Sequence, residues 1–328
     1  MSVSASHVYE ELYVNDGKLQ PHQIAILRPS LCDEPIENLR GRFQKDGYLF
    51  LKGLLPRDEV LQARQEYFKL IAPSGVLAPG TTPIQGIFDT SKSISDFPGI
   101  GAGPTDESVK PSETGELFLE LARQAHTEDW YAKTFCHLPA LKGFIAKFTN
   151  WGEDTMQLRR SLLRNNIPGS KAIGPHYDQI FLRHGDTTNL TAWVPMGDIS
   201  IKGGGLIYLE GSQSIGTEME ANFEKKAIAA GFTEKEIKSA YNKNMMAGGL
   251  LSTAPAAFAK EYNRRWMVTN YEAGDVVLHS CFMIHASTVN HDPQDIIRLA
   301  TDLRFCDSSK PYDKRWASDL EEFNEDGF

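Results

Sequence analysis

Along the 328-residue chain the spacing of apolar positions changes once, near residue 155, and that change divides it. Over 35–70 (PIENLRGRFQKDGYLFLKGLLPRDEVLQARQEYFKLI) the pattern predicts helix, short strand, helix, with the strand at Tyr48–Lys52 leaving through Gly53. After Pro56, residues Val60, Leu61, Arg64, Tyr67 and Phe68 fall near a 3.6-residue period, so one face of a helix over Asp58–Leu70 packs inward. Segments 116–126 and 128–148 read as helical too, with Trp130, Tyr131 and Phe135 at core spacing. The stretch 72–116 is rich in Gly, Pro, Ser and Thr without periodicity, which marks a long structured loop. With Ile84, Gln85, Phe88 and Asp89 it is the candidate lid over a site.

From 155 onward short apolar runs, at 156–164, 178–184, 188–195, 205–209, 265–269, 275–280 and 296–305, alternate with turn signals. That is the rhythm of an antiparallel sandwich or barrel. One interruption, 217–262, reads as two inserted helices, EMEANFEKKAIAAGF and TEKEIKSAYNKNMM. The expectation is one domain over 1–328: a mainly helical part at 1–154, an all-β core at 155–308 carrying the insertion, and a tail at 309–328.

Composition changes this picture only by exclusion. Hydrophobic residues at 41% and charged residues at 23% are ordinary for a globular chain. A net charge of −9 argues against a general phosphate-backbone binder, so no nucleic-acid partner is expected. Four scattered cysteines, Cys32, Cys136, Cys281 and Cys306, make neither a disulfide framework nor a thiolate zinc site and fit a reducing compartment. The first residues reach acidic positions before any signal-like apolar core, and no run approaches ~18 apolar residues. A cytoplasmic chain without a membrane partner is expected.

The candidate chemistry begins at GPHYDQIF, where His176 and Asp178 stand two apart and leave an extended strand on one face. An imidazole nitrogen beside a carboxylate oxygen suits a borderline divalent metal. About a hundred residues on, YEAGDVVLHSCFMIHASTVNHDPQDIIRLATDLRF supplies a strand from Val276 to Ser280, then His285, then a strand beginning near Arg298. Two histidines and one carboxylate on one face of an iron octahedron leave three positions open, as non-haem Fe(II) oxygenases require. Two of those can chelate a 2-oxo acid and the third can take O2. Arg298, thirteen residues after His285, can pair in a fork with the far carboxylate of that co-substrate.

These segments, with DGYLFLKGLL and AWVPMGDISIKGGGLIYLEGSQS, make the chain resemble the phytanoyl-CoA dioxygenase-like branch of the Fe(II)/2-oxoglutarate oxygenases. The resemblance covers roughly 40–60 and 155–308. It implies a double-stranded β-helix, jelly-roll or cupin-like in outline, with N-terminal helices. It also implies His176, Asp178 and His285 as iron ligands and Arg298 on the distal carboxylate of 2-oxoglutarate. Ser287 and Trp193 match positions that help enclose the co-substrate, and Thr191 shares the Trp193 face. The implied activity is hydroxylation, desaturation or cyclisation of a small organic substrate, in natural-product tailoring, with release of succinate and CO2. A CoA thioester is not assumed. Two other readings stand beside it: a cupin-type metalloenzyme without a keto acid, and a non-catalytic binding protein on the same scaffold.

Other residues have plainer readings. His279, inside VVLHS, reads as a core histidine bonded to a backbone group, while His291 and His184 read as turn residues. Gly203, Gly204 and Gly205 lie between strands with no following helix, so they make a tight turn rather than a phosphate cradle. Period two puts Arg298, Ala300, Asp302 and Arg304 on one face, where Asp302 and Arg304 either contact substrate or pair with each other. In MQLRRSLLRNN one arginine can steer an anionic substrate, and the others read as solvated or salt-bridged.

Overall fold

The structure, a computed structural model, describes residues 11–97, 112–240 and 249–317. Its strands in chain order are β1 (Tyr13–Val14), β2 (Gly17–Lys18), β3 (Ile24–Ile26), β4 (Pro29–Leu31), β5 (Tyr48–Lys52), β6 (Thr155–Gln157) and β7 (Leu162–Asn166). They continue as β8 (Leu190–Pro195), β9 (Leu206–Leu209), β10 (Trp266–Val268), β11 (Val276–Ser280), β12 (His285–Ser287) and β13 (Arg298–Asp307). The helices are α1 (Ile36–Asp46), α2 (Arg57–Ile71), α3 (Glu113–Gln124), α4 (Pro139–Thr149), α5 (Gln213–Ala229), α6 (Glu234–Ser239), α7 (Pro255–Glu261) and α8 (Lys314–Ala317). No helix among the described residues is long and apolar enough to cross a membrane.

The larger sheet runs β4-β5-β11-β8-β13-β6, with β7 also paired to β13; the smaller runs β12-β9-β10-β3. Side chains alternate across each strand, and the alternation sorts them into three cores. Phe50, Trp193, Val277 and Ala300 of the larger sheet meet Leu206, Tyr208 and Met267 of the smaller one. On the outer side, Leu49, Leu51, Val194, Leu278 and Leu299 pack with Tyr67 and Phe68 of α2, Phe118 of α3 and Ile145 of α4. Behind the smaller sheet, Ile207, Leu209, Trp266 and Val268 pack with Phe258 of α7. Both sheets are therefore mixed with covering helices, and the polar residues of their inner faces are enclosed between them.

The first predicted strand and its flanking helices appear as β5, α1 and α2. Gly47 ends α1 with a left-handed φ of 77° and donates its N–H to Phe43 O. A Cβ there would stand 2.7 Å from Gln213 Oε1, so the turn also needs the absence of a side chain. Gly204, φ 76°, turns the chain into β9, with Asn166 Oδ1 2.9 Å from where a Cβ would be. Trp130, Tyr131 and Phe135 belong to the helix-covered core, although a π-turn and a 3-10 turn break the helix expected over 128–148.

Two expectations fail for local reasons, and two short strands appear that the pattern did not foresee. The run 178–184 is not a strand: Asp178–Phe181 is a single 3-10 turn, closed by Leu182 N–H on Gln179 O at 3.0 Å. The run 156–164 is broken between β6 and β7, which pair with successive parts of β13. The N-terminal strands β3 and β4 pair in parallel with β10 and β5. Each is three residues long, and Pro29 opens the sheet-edge strand β4, where its missing N–H costs no ladder bond.

Within the candidate lid, residues 98–111 lie outside the described residues. In the described part, buried Arg64 of α2 donates to the carbonyls of Ile84 (2.7 Å), Gln85 (2.9 Å) and Met196 (3.1 Å), and Phe88 is buried in the helix-covered core. The inserted helices are α5 and α6, with α7 following; 241–248 lie outside the described residues.

Leu278, fully buried on β11 between β5 and β8, tests this layering. Leu278→Ala is expected to lower unfolding free energy by roughly 2–5 kcal/mol through lost burial and a residual cavity, read from urea unfolding.

Candidate metal centre

His176 is extended and bridges to His285: the N–H of each donates to the carbonyl of the other, at 3.0 and 2.9 Å. This brings residues more than a hundred positions apart into register and sets their rings 4.2 Å apart, centroid to centroid. Tyr177 is still extended, so Asp178 points to the same side as His176 before the chain turns. One ligand atom from each of His176, Asp178 and His285 lies within 4.8 Å of the others, and all three residues are buried.

The imidazoles are oriented from behind. Nδ1 of His176 lies 2.9 Å from Gly174 O, and Nδ1 of His285 lies 2.9 Å from Met283 O. Carbonyls only accept, so each Nδ1 carries the proton and each Nε2 keeps a free lone pair. Burial lowers the His176 pKa to about 4 and holds His285 well below its ordinary range, with His176 adding to the effect on His285. Neutral rings are the form that ligates a cation.

Asp178 is held by three donors from one row of the larger sheet. Thr191 of β8 stands in register with His279 of β11 on one side and Arg304 of β13 on the other. Thr191 Oγ1 (2.5 Å) and His279 Nε2 (3.1 Å) donate to Oδ2, and Arg304 Nη2 (2.9 Å) donates to Oδ1. Burial alone would raise the Asp178 pKa; the Arg304 charge and the His279 hydrogen bond outweigh it and hold the carboxyl well below the usual range. His279 is thus buried as expected, but it bonds a carboxylate and the Tyr208 hydroxyl (3.2 Å from Nδ1) instead of backbone. Arg304 pairs with Asp178 rather than with Asp302, because Asp302 turns toward Arg164, 4.0 Å away.

Next to the two rings is a narrow cavity walled by Trp193, Leu206, Ile173, Asn166, Arg298, Arg164 and Asp302. Arg298 is buried, its Nε meets no acceptor among the described residues, and burial lowers its pKa to about 10, which leaves it charged at neutral pH. A buried guanidinium facing a cavity calls for an anion. Trp193 lines this cavity with its ring edge-on to Tyr271, 4.6 Å between centroids. Of the remaining sequence candidates, Thr191 spends its hydroxyl on Asp178, and Ser287 Oγ accepts the Ile173 N–H at 3.1 Å. Neither is among the cavity-lining residues. The roles of His279 and Tyr208 escaped the sequence reading; that of Arg304 was half visible in its period-two spacing from Arg298.

A His-His-carboxylate set and a buried guanidinium across one cavity fit a ferrous ion and a dicarboxylate, the apparatus of an iron-dependent oxidoreductase. The chain belongs to the phytanoyl-CoA dioxygenase (PhyH) family, whose model matches residues 43–299. Members of this family use Fe(II), 2-oxoglutarate and O2. No curated protein matches the sequence. Among solved structures it is similar to the non-heme alpha-ketoglutarate-dependent carbocyclase SnoK from nogalamycin biosynthesis, at 14% identity over 86% of this chain and 87% of that one, TM-score 0.49. It is similar also to AviO1 from Streptomyces viridochromogenes Tue57, at 16% identity over 84% and 97%, TM-score 0.48. A third is the epimerase SnoN in complex with Fe3+, alpha-ketoglutarate and nogalamycin RO, at 18% identity over 89% and 93%, TM-score 0.47.

The histidine environments set a pH dependence. An unfolded imidazole takes its proton near 6.5 and folded His176 near 4, so between these values the unfolded chain binds more protons and acid favours it. Metal-free protein is expected to lose stability as pH falls from about 6.5 to about 4, by about 3 kcal/mol from His176 alone. Urea unfolding at stepped pH checks this, and His176→Gln flattens the profile.

Proposed function

We propose that the protein is an Fe(II)- and 2-oxoglutarate-dependent dioxygenase that oxidises a small organic substrate on a double-stranded β-helix. His176 and His285, through Nε2, and Asp178 would hold the iron, and Arg298 would hold the far carboxylate of 2-oxoglutarate. What carries this reading is the meeting of the three ligand atoms, within 4.8 Å of one another, beside a cavity that also contains a buried guanidinium whose Nε meets no acceptor among the described residues. When bound, the iron would let O2 act as the oxidant, one oxygen atom entering 2-oxoglutarate as it loses CO2 to become succinate and the other left to oxidise the substrate.

The chain's own residues supply position and dryness. The Nδ1–carbonyl bonds behind both histidines fix the tautomer and the direction of each ring, so no reorganisation is needed when the ion arrives. Arg298 presents a planar fork of donors that suits a carboxylate in two-point contact. Trp193, Leu206 and Ile173 give the cavity apolar walls, which exclude water and strengthen that charge pairing. Arg164 and Asp302 add a polar side to the same cavity. A metalloenzyme working without a keto acid would have no use for Arg298 there.

Anaerobic titration of the purified chain is expected to show one Fe(II) site, lost in His176→Ala, Asp178→Ala and His285→Ala. Succinate release from 2-oxoglutarate with Fe(II) and O2 is expected in wild type, stimulated by substrate. Arg298→Ala is expected to raise the KM for 2-oxoglutarate at least about tenfold, the loss of roughly 1.4 kcal/mol or more of charge-assisted bonding. Iron binding with turnover indifferent to 2-oxoglutarate would instead establish the keto-acid-free chemistry.

A further inference from the structure

Arg304 is 1% exposed, and among the described residues Asp178 is the only hydrogen-bond acceptor its guanidinium meets. The guanidinium carbon lies 4.3 Å from the centroid of the Trp316 ring. So deep a cation is costly unless it answers a charge, and the charge it answers is that of Asp178. A carboxylate has about four acceptor sites, two on each oxygen. On Asp178, Oδ2 has both filled, by Thr191 Oγ1 and His279 Nε2. The Tyr208 hydroxyl faces Nδ1 of His279, which agrees with a proton on Nε2 pointing at the carboxylate. Oδ1 accepts once, from Arg304. The acceptor site left for a cation is therefore on the oxygen that Arg304 already holds.

We propose that Arg304 sets the affinity of the metal centre: it shares Oδ1 of Asp178 with the ion, balancing the carboxylate in metal-free protein and weakening its attraction for the metal. This rests on reading His176, Asp178 and His285 as metal ligands. Arg304 is a positioning residue, since it acts through Asp178. Removing its charge strengthens metal binding while destabilising the metal-free fold, a pair of opposite effects that a purely structural arginine would not produce.

The test uses the full chain, stripped of metal and titrated with Mn(II) against a chromophoric chelator, in wild type, Arg304→Met, Arg304→Gln and Arg304→Lys. The Met and Gln variants are expected to bind Mn(II) at least about tenfold more tightly than wild type. Lys, which keeps the charge, stays within about threefold. Metal-free Met and Gln variants melt at lower temperature and recover on saturation with Mn(II). Unchanged or weaker Mn(II) binding in the Gln variant overturns the proposal, as does an equal gain in Lys. Where a variant does not fold without metal, protein purified with Mn(II) gives the same comparison from its rate of Mn(II) loss to chelator: slower loss supports the role, equal or faster loss overturns it. Wild-type protein that binds no Mn(II) overturns the metal-centre reading itself, whereas wild-type binding with no gain on charge removal sinks only the role of Arg304.

Discussion

A carboxylate taken out of water between two sheets must be matched there, and Asp178 imposes that constraint on everything around it. Its donors come from three adjacent strands, Thr191 on β8, His279 on β11 and Arg304 on β13, and the ladder register puts all three in one row. A slip of one residue in either pairing would turn a donor to the helix-covered face and leave a charge in the core. The register of the larger sheet and the geometry of the centre are thus one requirement. The smaller sheet enters through the His176–His285 bridge, whose two backbone bonds fix where the imidazoles stand relative to that carboxylate.

The same alternation explains why the cavity is polar inside an apolar body. Along β13, Leu299, Leu303 and Phe305 face the helices, while Arg298, Asp302 and Arg304 face inward. Three charged side chains on one buried strand face are tolerable because each has a counterpart or a cavity. Arg304 has Asp178, Asp302 stands near Arg164, and Arg298 faces open space beside Trp193. Of the three, Arg298 is the one whose Nε meets no acceptor among the described residues and which faces the cavity, and this is the observation behind proposing an anion at its end.

How much of this the sequence disclosed follows from the range of each interaction. Period-two and 3.6-residue patterns are local, so β5, β8, β9, β11 and β13 were legible within a few residues, as were α1 and α2. The gathering of His176, Asp178 and His285 was legible because residue type and order carry it. The 178–184 run misled because Phe181 and Leu182 are apolar for packing behind the smaller sheet, not for lying in a strand. The strands β3 and β4 were hidden because three-residue parallel edges leave no period to read. The partner of His279 was hidden because a histidine inside an apolar strand looks the same whether it bonds backbone or a carboxylate 101 positions away.

The helical insertion, which breaks the strand rhythm, also bears on the centre. Tyr177, between the two proposed ligands, points away from them and donates its hydroxyl to Glu220 of α5 at 2.7 Å. Arg183 binds both oxygens of the same carboxylate and lies 4.0 Å from the Phe223 ring centroid. Three successive residues are therefore anchored in three directions: His176 to the smaller sheet, Tyr177 to the insertion and Asp178 to the larger sheet. A turn fixed on three sides has little freedom to swing its carboxylate, so the insertion contributes rigidity to the centre without a side chain inside it.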